Sequence, residues 1–239
     1  PLYFFKVIDD VRFVALQTNP NCFVGQINEL LLAPNRIICV SNIVDQVVTI
    51  FNDKGNFINK IDNIGKGPNE YLSISRVQID YCNSNIVLFD YNAKKLLRYD
   101  FDGNHISTRE VFFYFSDYVF SKKSSHVFFS TDIESNTHIK PISSKRIICA
   151  REGRELVYAS IDLPDEFAFV HYGIRNFYHN GDTILYIPNF CDTIYAIDSS
   201  KIMARYHVKH RGRNLELKDC NLEYFKNFQY NFLKDDVFH

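Results

Sequence analysis

The sequence has no tryptophan, a single methionine and almost no net charge (−1), and none of its six cysteines stands in a C-x-x-C pair. Each shortage excludes something. A near-neutral balance lacks the basic stripe that nucleic-acid binding needs, and it gives no electrostatic reason to meet an anionic membrane surface. No apolar run approaches the roughly 18 residues of a spanning helix, and a lipid anchor outside this chain stays open. The scattered positions of Cys22, Cys39, Cys82, Cys149, Cys191 and Cys220 argue against a compact zinc site. Cys39 and Cys149 fall inside apolar runs, where a thiol behaves as a small hydrophobe, so cysteine usage leaves the compartment open. The opening P-L-Y-F-F-K-V has neither a basic n-region nor a small-residue cleavage site, so it does not read as a secretory signal. A mature secreted chain would read the same. No G-x-S-x-G or H-E-x-x-H string occurs, and no cofactor is predicted.

What the sequence does have is aromatic and branched residues. There are 22 Phe and 15 Tyr in 239 residues, with 46 % apolar and 23 % charged residues, a balance that excludes a disordered chain. Phe, Tyr, Ile and Val fit a pleated, half-buried surface, so the composition leans towards β.

The organisation lies in a repeat. Residues 38–55, I-C-V-S-N-I-V-D-Q-V-V-T-I-F-N-D-K-G, align without a gap on 86–103, I-V-L-F-D-Y-N-A-K-K-L-L-R-Y-D-F-D-G, at an offset of 48. Asn42 falls on Asp90, Phe51 on Tyr99 and Gly55 on Gly103. Residues 184–198 align with 86–100 at an offset of 98, two periods of 49. A divergent copy between them has strand-like runs at His126 to Ser130 and Arg146 to Ala150, separated by a longer gap.

Each copy reads as a small antiparallel sheet of four strands. In the second copy these are expected near 74–80, 85–90, 95–101 and 104–111. Asp102-Gly103 and Asn180-Gly181 supply hairpin turns, and Cys82 to Asn85 supplies another. A four-stranded unit of this length cannot bury both faces alone. Stacking such units around an axis does, which predicts an all-β fold, a β-propeller of four-stranded blades. A β-sandwich also has many short strands, but it has no reason to repeat every 48 or 49 residues. The blades are expected near 25–61, 74–111, 115–160 and 173–208, in one propeller domain spanning 1–239. The run 11–17 is expected to close the ring, and 209–239 reads as the lead-in to another blade. That predicts a ring larger than four blades, with its remaining strands beyond His239.

The segment Ile64 to Tyr71, I-G-K-G-P-N-E-Y, together with V-Q-I-D, N-I-V-L-F-D and Y-D-F-D-G-N, resembles the six-bladed, NHL-like β-propeller proteins of Bacteroides-type gut bacteria. The resemblance is carried by the G-x-G-P-x-E-Y string at 65–71 and is good over roughly 11–111. It implies six blades and export to the periplasm or cell surface, often as a lipoprotein. The chain departs from that pattern in ending early and in the long loop of the third copy.

Candidate site residues follow from blade geometry. The turns joining second and third strands share a face with the connections between blades, and such loops carry function. The turns are Asn42 to Gln46, Asp90 to Lys94, Thr131 to Ser144 and Pro188 to Asp192, joined by the connection Gly65 to Leu72. Gly65, Gly67 and Pro68 either expose backbone N–H groups to an anion or shape a tight connection, with Glu70 and Tyr71 tying neighbouring blades. Lacking the Lys-Ser/Thr and helix of a nucleotide loop, the segment favours the structural reading. Arg76 and Arg175 fall near the start of innermost strands, where a guanidinium either grips a carboxylate or phosphate or bridges blades. Tyr91 and Phe190 stand in turns where rings stack on flat ligands, beside Asp90 and Asn42. His171 precedes an inner strand and is the one candidate metal-binding histidine of a channel; its alternative is simple packing. His207 and His210 point to opposite faces of a strand. The long third-copy loop, with Asp132, Glu134 and His138, reads as a recognition loop or a tolerated insertion.

Two functions remain. The first is an exported binding or interaction module for a small molecule, glycan or protein. The second is a metal-assisted propeller-type lyase or hydrolase at the channel mouth near Arg76, His171 and Arg175. Fold does not choose between them.

Overall fold

A computed structural model describes residues 11–20, 22–131, 136–151, 155–162, 175–189 and 191–208. The strands come in four groups of four. The first blade comprises β1 (Glu29–Ala33), β2 (Arg36–Ser41), β3 (Val47–Asn52) and β4 (Phe57–Ile61); the second comprises β5 (Arg76–Asp80), β6 (Asn85–Asp90), β7 (Lys95–Asp100) and β8 (His105–Glu110). The third has β9 (Asp117–Phe120), β10 (His126–Ser130), β11 (Lys145–Arg151) and β12 (Glu155–Asp162); the fourth has β13 (Phe177–Asn180), β14 (Thr183–Tyr186), β15 (Thr193–Ile197) and β16 (Ile202–His207). Each blade is an antiparallel meander whose spatial order is its chain order. The architecture is all-β, as the repeat predicts, and the second-blade strands lie within two residues of their expected bounds.

The middle strands are apolar runs because both of their faces are covered. In β2, Ile38 and Val40 point one way and Ile37 and Cys39 the other, and β6 is buried from Ile86 to Asp90. The outer strand β16 is mostly exposed and β8 half so, and both are correspondingly polar or mixed. Every blade also carries a bulge between its third and fourth strands, at Ile50/Phe51, Arg98/Tyr99, Cys149/Ala150 and Ile194/Tyr195. A bulge adds twist, which a stacked blade needs.

Turn chemistry repeats with the strands. The last residue of the third strand caps its own hairpin: Asn52 Oδ1 accepts from the N–H of Lys54 and Asn56, and Asp100 Oδ1 from the N–H of Asp102 and Asn104. Just after β15, Asp198 Oδ1 takes the N–H of Ser200 and Lys201. Gly55 and Gly103 complete the first two of these turns at φ 87° and 81°, where a side chain would be strained.

The chain forms two units, Pro1–Phe112 and Phe113–His239, each holding two blades. In the first, Ile38, Val40, Val48 and Ile50 of blade one pack against Val77, Ile79, Ile86 and Leu88 of blade two, with Tyr71 and Ile74 in the same core. Full burial of such side chains is worth about 1.5–3 kcal/mol each. The inner strands β1 and β5 lie side by side, as do β9 and β13 in the second unit. Polar ties reinforce the stacking. Arg36 donates to Phe101 O and pairs with Asp102 at 2.6 Å, Asn59 donates to Asp102 O, and the Tyr81 hydroxyl donates to Leu32 O. In the second unit, Val119, Phe128 and Ile147 pack on Phe177, Ile184 and Tyr186. There Lys123 pairs with Asp182 at 2.9 Å and the Tyr158 hydroxyl donates to Asp198 O.

The run 11–17 lies against the outer hairpin of blade one. Gln17 donates its N–H to Gly55 O, its side chain accepts from Phe57 N, and a Cβ on Gly55 would sit 2.0 Å from Ala15 O.

Candidate functional site

The loop-rich face of the first unit is built from the connection 62–75 and the turns 42–46 and 90–94. Its centre is the G-x-G-P-x-E-Y string. Gly65 and Gly67 face an anion, and that anion is the chain's own Glu70. Glu70 Oε2 accepts from Gly67 N–H at 2.7 Å, and a Cβ on Gly65 would stand 2.0 Å from the same oxygen. Neither glycine has a positive φ, so both are needed for room rather than conformation. Gly65 N–H donates to Tyr71 O, Tyr71 N–H to Asn63 O, and Lys95 Nζ to Gly67 O at 2.9 Å. Glu70 therefore closes its own loop instead of joining neighbouring blades, a correction to the sequence expectation. The carboxylate satisfies the Gly67 N–H locally, at no cost in association entropy.

Tyr71 does join blades. It is fully buried, and its hydroxyl donates to Gln46 O at 2.7 Å with Ile61 O also in reach at 3.0 Å. Burial pushes the phenol far above its usual titration range, so it stays a donor at every physiological pH. Gln46 answers with its side-chain carbonyl, which accepts from Ile74 N–H at 2.6 Å. On the other side of the connection, Asp90 is buried and accepts from the N–H groups of Leu72 (2.5 Å) and Ala93 (3.0 Å) and from the Ser73 hydroxyl.

The expected site residues thus divide. Tyr71 and Asp90 are buried supports. Asn42 donates its N–H to Asn28 Oδ1 and accepts from the Gln46 amide. Tyr91 is presented outward, its ring edge-on to Phe89 with centroids 6.3 Å apart, and its N–H donates to Ser75 Oγ. Arg76 is half-buried as the first residue of β5. Arg175 is exposed, two residues ahead of β13 in the other unit. His171, Phe190, Asp132, Glu134, His210 and Cys220 lie outside the described residues. Of the third-copy loop, the described part is ordered by packing. The Asn136 side-chain amide pairs with both backbone groups of Tyr114 (2.7 and 2.9 Å), His138 meets the Tyr114 ring, and a 3-10 turn at Lys140–Ile142 buries Ile142.

One set of residues was not anticipated. The position directly before each inner strand is Asn28, Ser75, Ser116 and Asn176, always Asn or Ser. Each ties the start of the inner strand to the end of the second. Asn28 accepts from Asn42 and Ile43 N–H, Ser75 from Tyr91 N–H, Ser116 donates to Ser130 O, and Asn176 donates to Ile187 O. In the three aligned copies these residues lie eight to eleven positions ahead of the aligned windows, so the repeat alignment does not reach them. In the second unit Asp117, also buried, adds to this by accepting from the N–H groups of Asn176 and Phe177.

Among the described residues, no three His, Cys, Asp or Glu side chains come close enough to hold a metal ion, and no helix is long and apolar enough to cross a membrane. Burial raises the Cys39 thiol to about 11 and the Cys149 thiol to about 12, which makes both poor nucleophiles.

Comparison with known proteins places this geometry. A protein of Bacteroides fragilis NCTC 9343, inferred to be exported, superposes with a TM-score of 0.72 at 19 % identity, over 85 % of this chain and 56 % of its own. A member of the DUF4221 family from Bacteroides vulgatus ATCC 8482 superposes with a TM-score of 0.51 at 14 % identity, over 83 % and 62 %. The chain therefore spans about three-fifths or less of the length of these two structures. At these identities the likeness shows the fold, a β-propeller of four-stranded blades. No curated protein matches the sequence. The model of the domain of unknown function DUF4934 matches residues 1–238, and the chain belongs to that family.

Proposed function

We propose that the protein is an exported, non-enzymatic binding or interaction module that works through the loop-rich face of its blades. The observation that carries this reading is the division of labour on that face. Tyr71, Gln46, Glu70, Asp90 and Asn28 spend their polar groups on backbone atoms of the loops themselves, while Ile43, Val44 and Tyr91 point outward from the turns so fixed. Rigid loops that present side chains lose little entropy on association, which is what a recognition surface needs. The carboxylate and phenol best placed for chemistry are buried as supports.

Export is supported by the Bacteroides fragilis structure, itself inferred to be exported. A six-bladed ring of NHL-like repeats and a lipid anchor extend the reading, supported by the intact string at 65–71. Arg76 and Arg175, with His171, remain proposed ligand contacts at the ends of inner strands, and Asn42 and Phe190 in the turns.

The test is to screen the purified full-length protein on glycan and peptide arrays, alongside elemental analysis by X-ray fluorescence with a chelated control. Saturable binding without a stoichiometric metal is expected. A stoichiometric metal lost to the chelator would instead favour the lyase or hydrolase reading and direct mutagenesis to His171.

A further inference from the structure

A main-chain nitrogen can attack the side-chain carbonyl of the Asn or Asp before it when a small residue leaves that nitrogen uncovered. The sequence holds one Asn-Gly, one Asp-Gly and one Asn-Ser pair: Asn180-Gly181, Asp102-Gly103 and Asn83-Ser84. Asn180, Asp102 and Asn83 are all exposed, so exposure does not separate them. Their tethers do.

Asp102 is locked. Its carboxylate pairs with Arg36 at 2.6 Å, and the Gly103 N–H, the nitrogen that would attack, donates to Asp100 O at 3.1 Å. Asn83 is locked as well. Its side-chain amide donates to Asp80 Oδ2 at 2.9 Å and its N–H to Asp80 Oδ1 at 3.2 Å, while Asp80 is buried and paired with Arg98. Asn180 ends β13 opposite Thr183, and Gly181 follows at φ 62° with nothing within 4 Å of the place a Cβ would take. The ties of this hairpin fall further on: Lys122 Nζ meets Gly181 O at 3.4 Å and Lys123 pairs with Asp182 at 2.9 Å. Those contacts hold neither the Asn180 amide nor the Gly181 nitrogen, and an exposed turn tip is where a chain opens most readily.

We propose that Asn180 is a site of spontaneous deamidation in the folded protein, with water as the co-reactant. The Gly181 nitrogen gives up its proton and bonds to the Asn180 side-chain carbonyl carbon, and ammonia leaves. The resulting cyclic imide takes up one water and opens at either carbonyl, to aspartate or isoaspartate. Either product adds a negative charge beside the hairpin that Lys122 and Lys123 fasten to blade three. Isoaspartate also adds a main-chain carbon at the end of β13, next to the turn that carries both ties.

The test holds the full-length protein in mildly alkaline buffer, folded in one sample and unfolded in guanidinium chloride in the other. Peptide mapping by mass spectrometry follows acid at Asn180 and Asn83 and isoaspartate at Asp102 over time. Asn180 is expected to convert at nearly the same rate in both samples. Asn83 and Asp102 are expected to convert several times more slowly when folded. Asn180→Gln, whose longer side chain closes the ring far more slowly, should leave position 180 unconverted. The proposal is overturned by an absence of acid at Asn180 in the folded protein. Slowing of Asn180 on folding by as much as Asn83, or folded conversion at Asn83 and Asp102 as fast as at Asn180, overturns it equally.

Discussion

Tyr71 and Gln46 hold each other across a blade boundary in both directions. The Tyr71 hydroxyl donates to the main-chain carbonyl of Gln46 at 2.7 Å, and the Gln46 side chain takes the N–H of Ile74, three residues past Tyr71, at 2.6 Å. Gln46 achieves this from a left-handed backbone, φ 54°, a conformation shared by Lys94 and Ser144 at the ends of the corresponding turns. One turn of the first blade and the connection into the second are therefore a single fastened unit.

Tyr71→Phe removes only the hydroxyl and leaves the carbonyls of Gln46 and Ile61 short of a buried donor. A loss of about 1–3 kcal/mol is expected, read as a lower urea midpoint with an unchanged slope.

Gly65→Ala should destabilise because its methyl would stand 2.0 Å from the Glu70 carboxylate. The cost should nearly vanish on a Glu70→Ala background, where the obstructing group is gone. A double-mutant cycle by denaturant unfolding measures this coupling. Additive losses would show that the glycine serves some other purpose.

His179 gives the second unit a pH dependence. Burial lowers its pKa, the nearby Lys122 lowers it further, and Asp182 opposes them. The folded state thus favours the neutral ring. Its contribution is present above the ordinary histidine pKa and is lost as pH falls from there through the lowered folded value. His179→Gln should flatten the slope of stability against pH below about 6.5. An unchanged slope would contradict the assignment.

Asp100 adds an acid-side dependence in the first unit. Burial raises its pKa, but the hydrogen bonds from the Asn104 side chain and from the N–H groups of Asn104, Asp102 and Gly103 outweigh it, and the net shift is downward. Its stabilisation is present above the usual carboxylate range and fades as pH falls through the lowered value. Asp100→Ala should therefore cost stability at neutral pH and little in strong acid, a difference that melts at the two pH values would reveal.

Much of the fold was legible because the repeat is written in the middle strands. Residues 38–55 and 86–103 must be apolar on both faces, so their pattern survives from blade to blade, and the glycines at 55 and 103 mark the same turn. The third copy was harder to read because its second and third strands are separated by 14 residues rather than a short turn. The site was less legible. A sequence shows that Glu70 lies near two glycines, but not that its carboxylate folds back to occupy their loop. Nor does it separate Asp90, buried as a support, from Tyr91, which is presented; the two are adjacent and differ only in which way the turn points them. The Asn and Ser residues ahead of the inner strands escaped notice because they stand well before the middle strands in which the repeat is written.

If the G-x-G-P-x-E-Y string of the connection builds the face and the turn tips present it, a side-by-side thermal melt of Tyr71→Phe, Glu70→Gln, Ile43→Ser and Tyr91→Ser in the full-length protein tests it most directly. The first two are predicted to melt several degrees lower, since about 1 kcal/mol moves a domain of this size by roughly 2–4 °C, and the last two to melt with the native protein. Unchanged melting of Tyr71→Phe and Glu70→Gln, with loss of stability in Ile43→Ser and Tyr91→Ser, would contradict it.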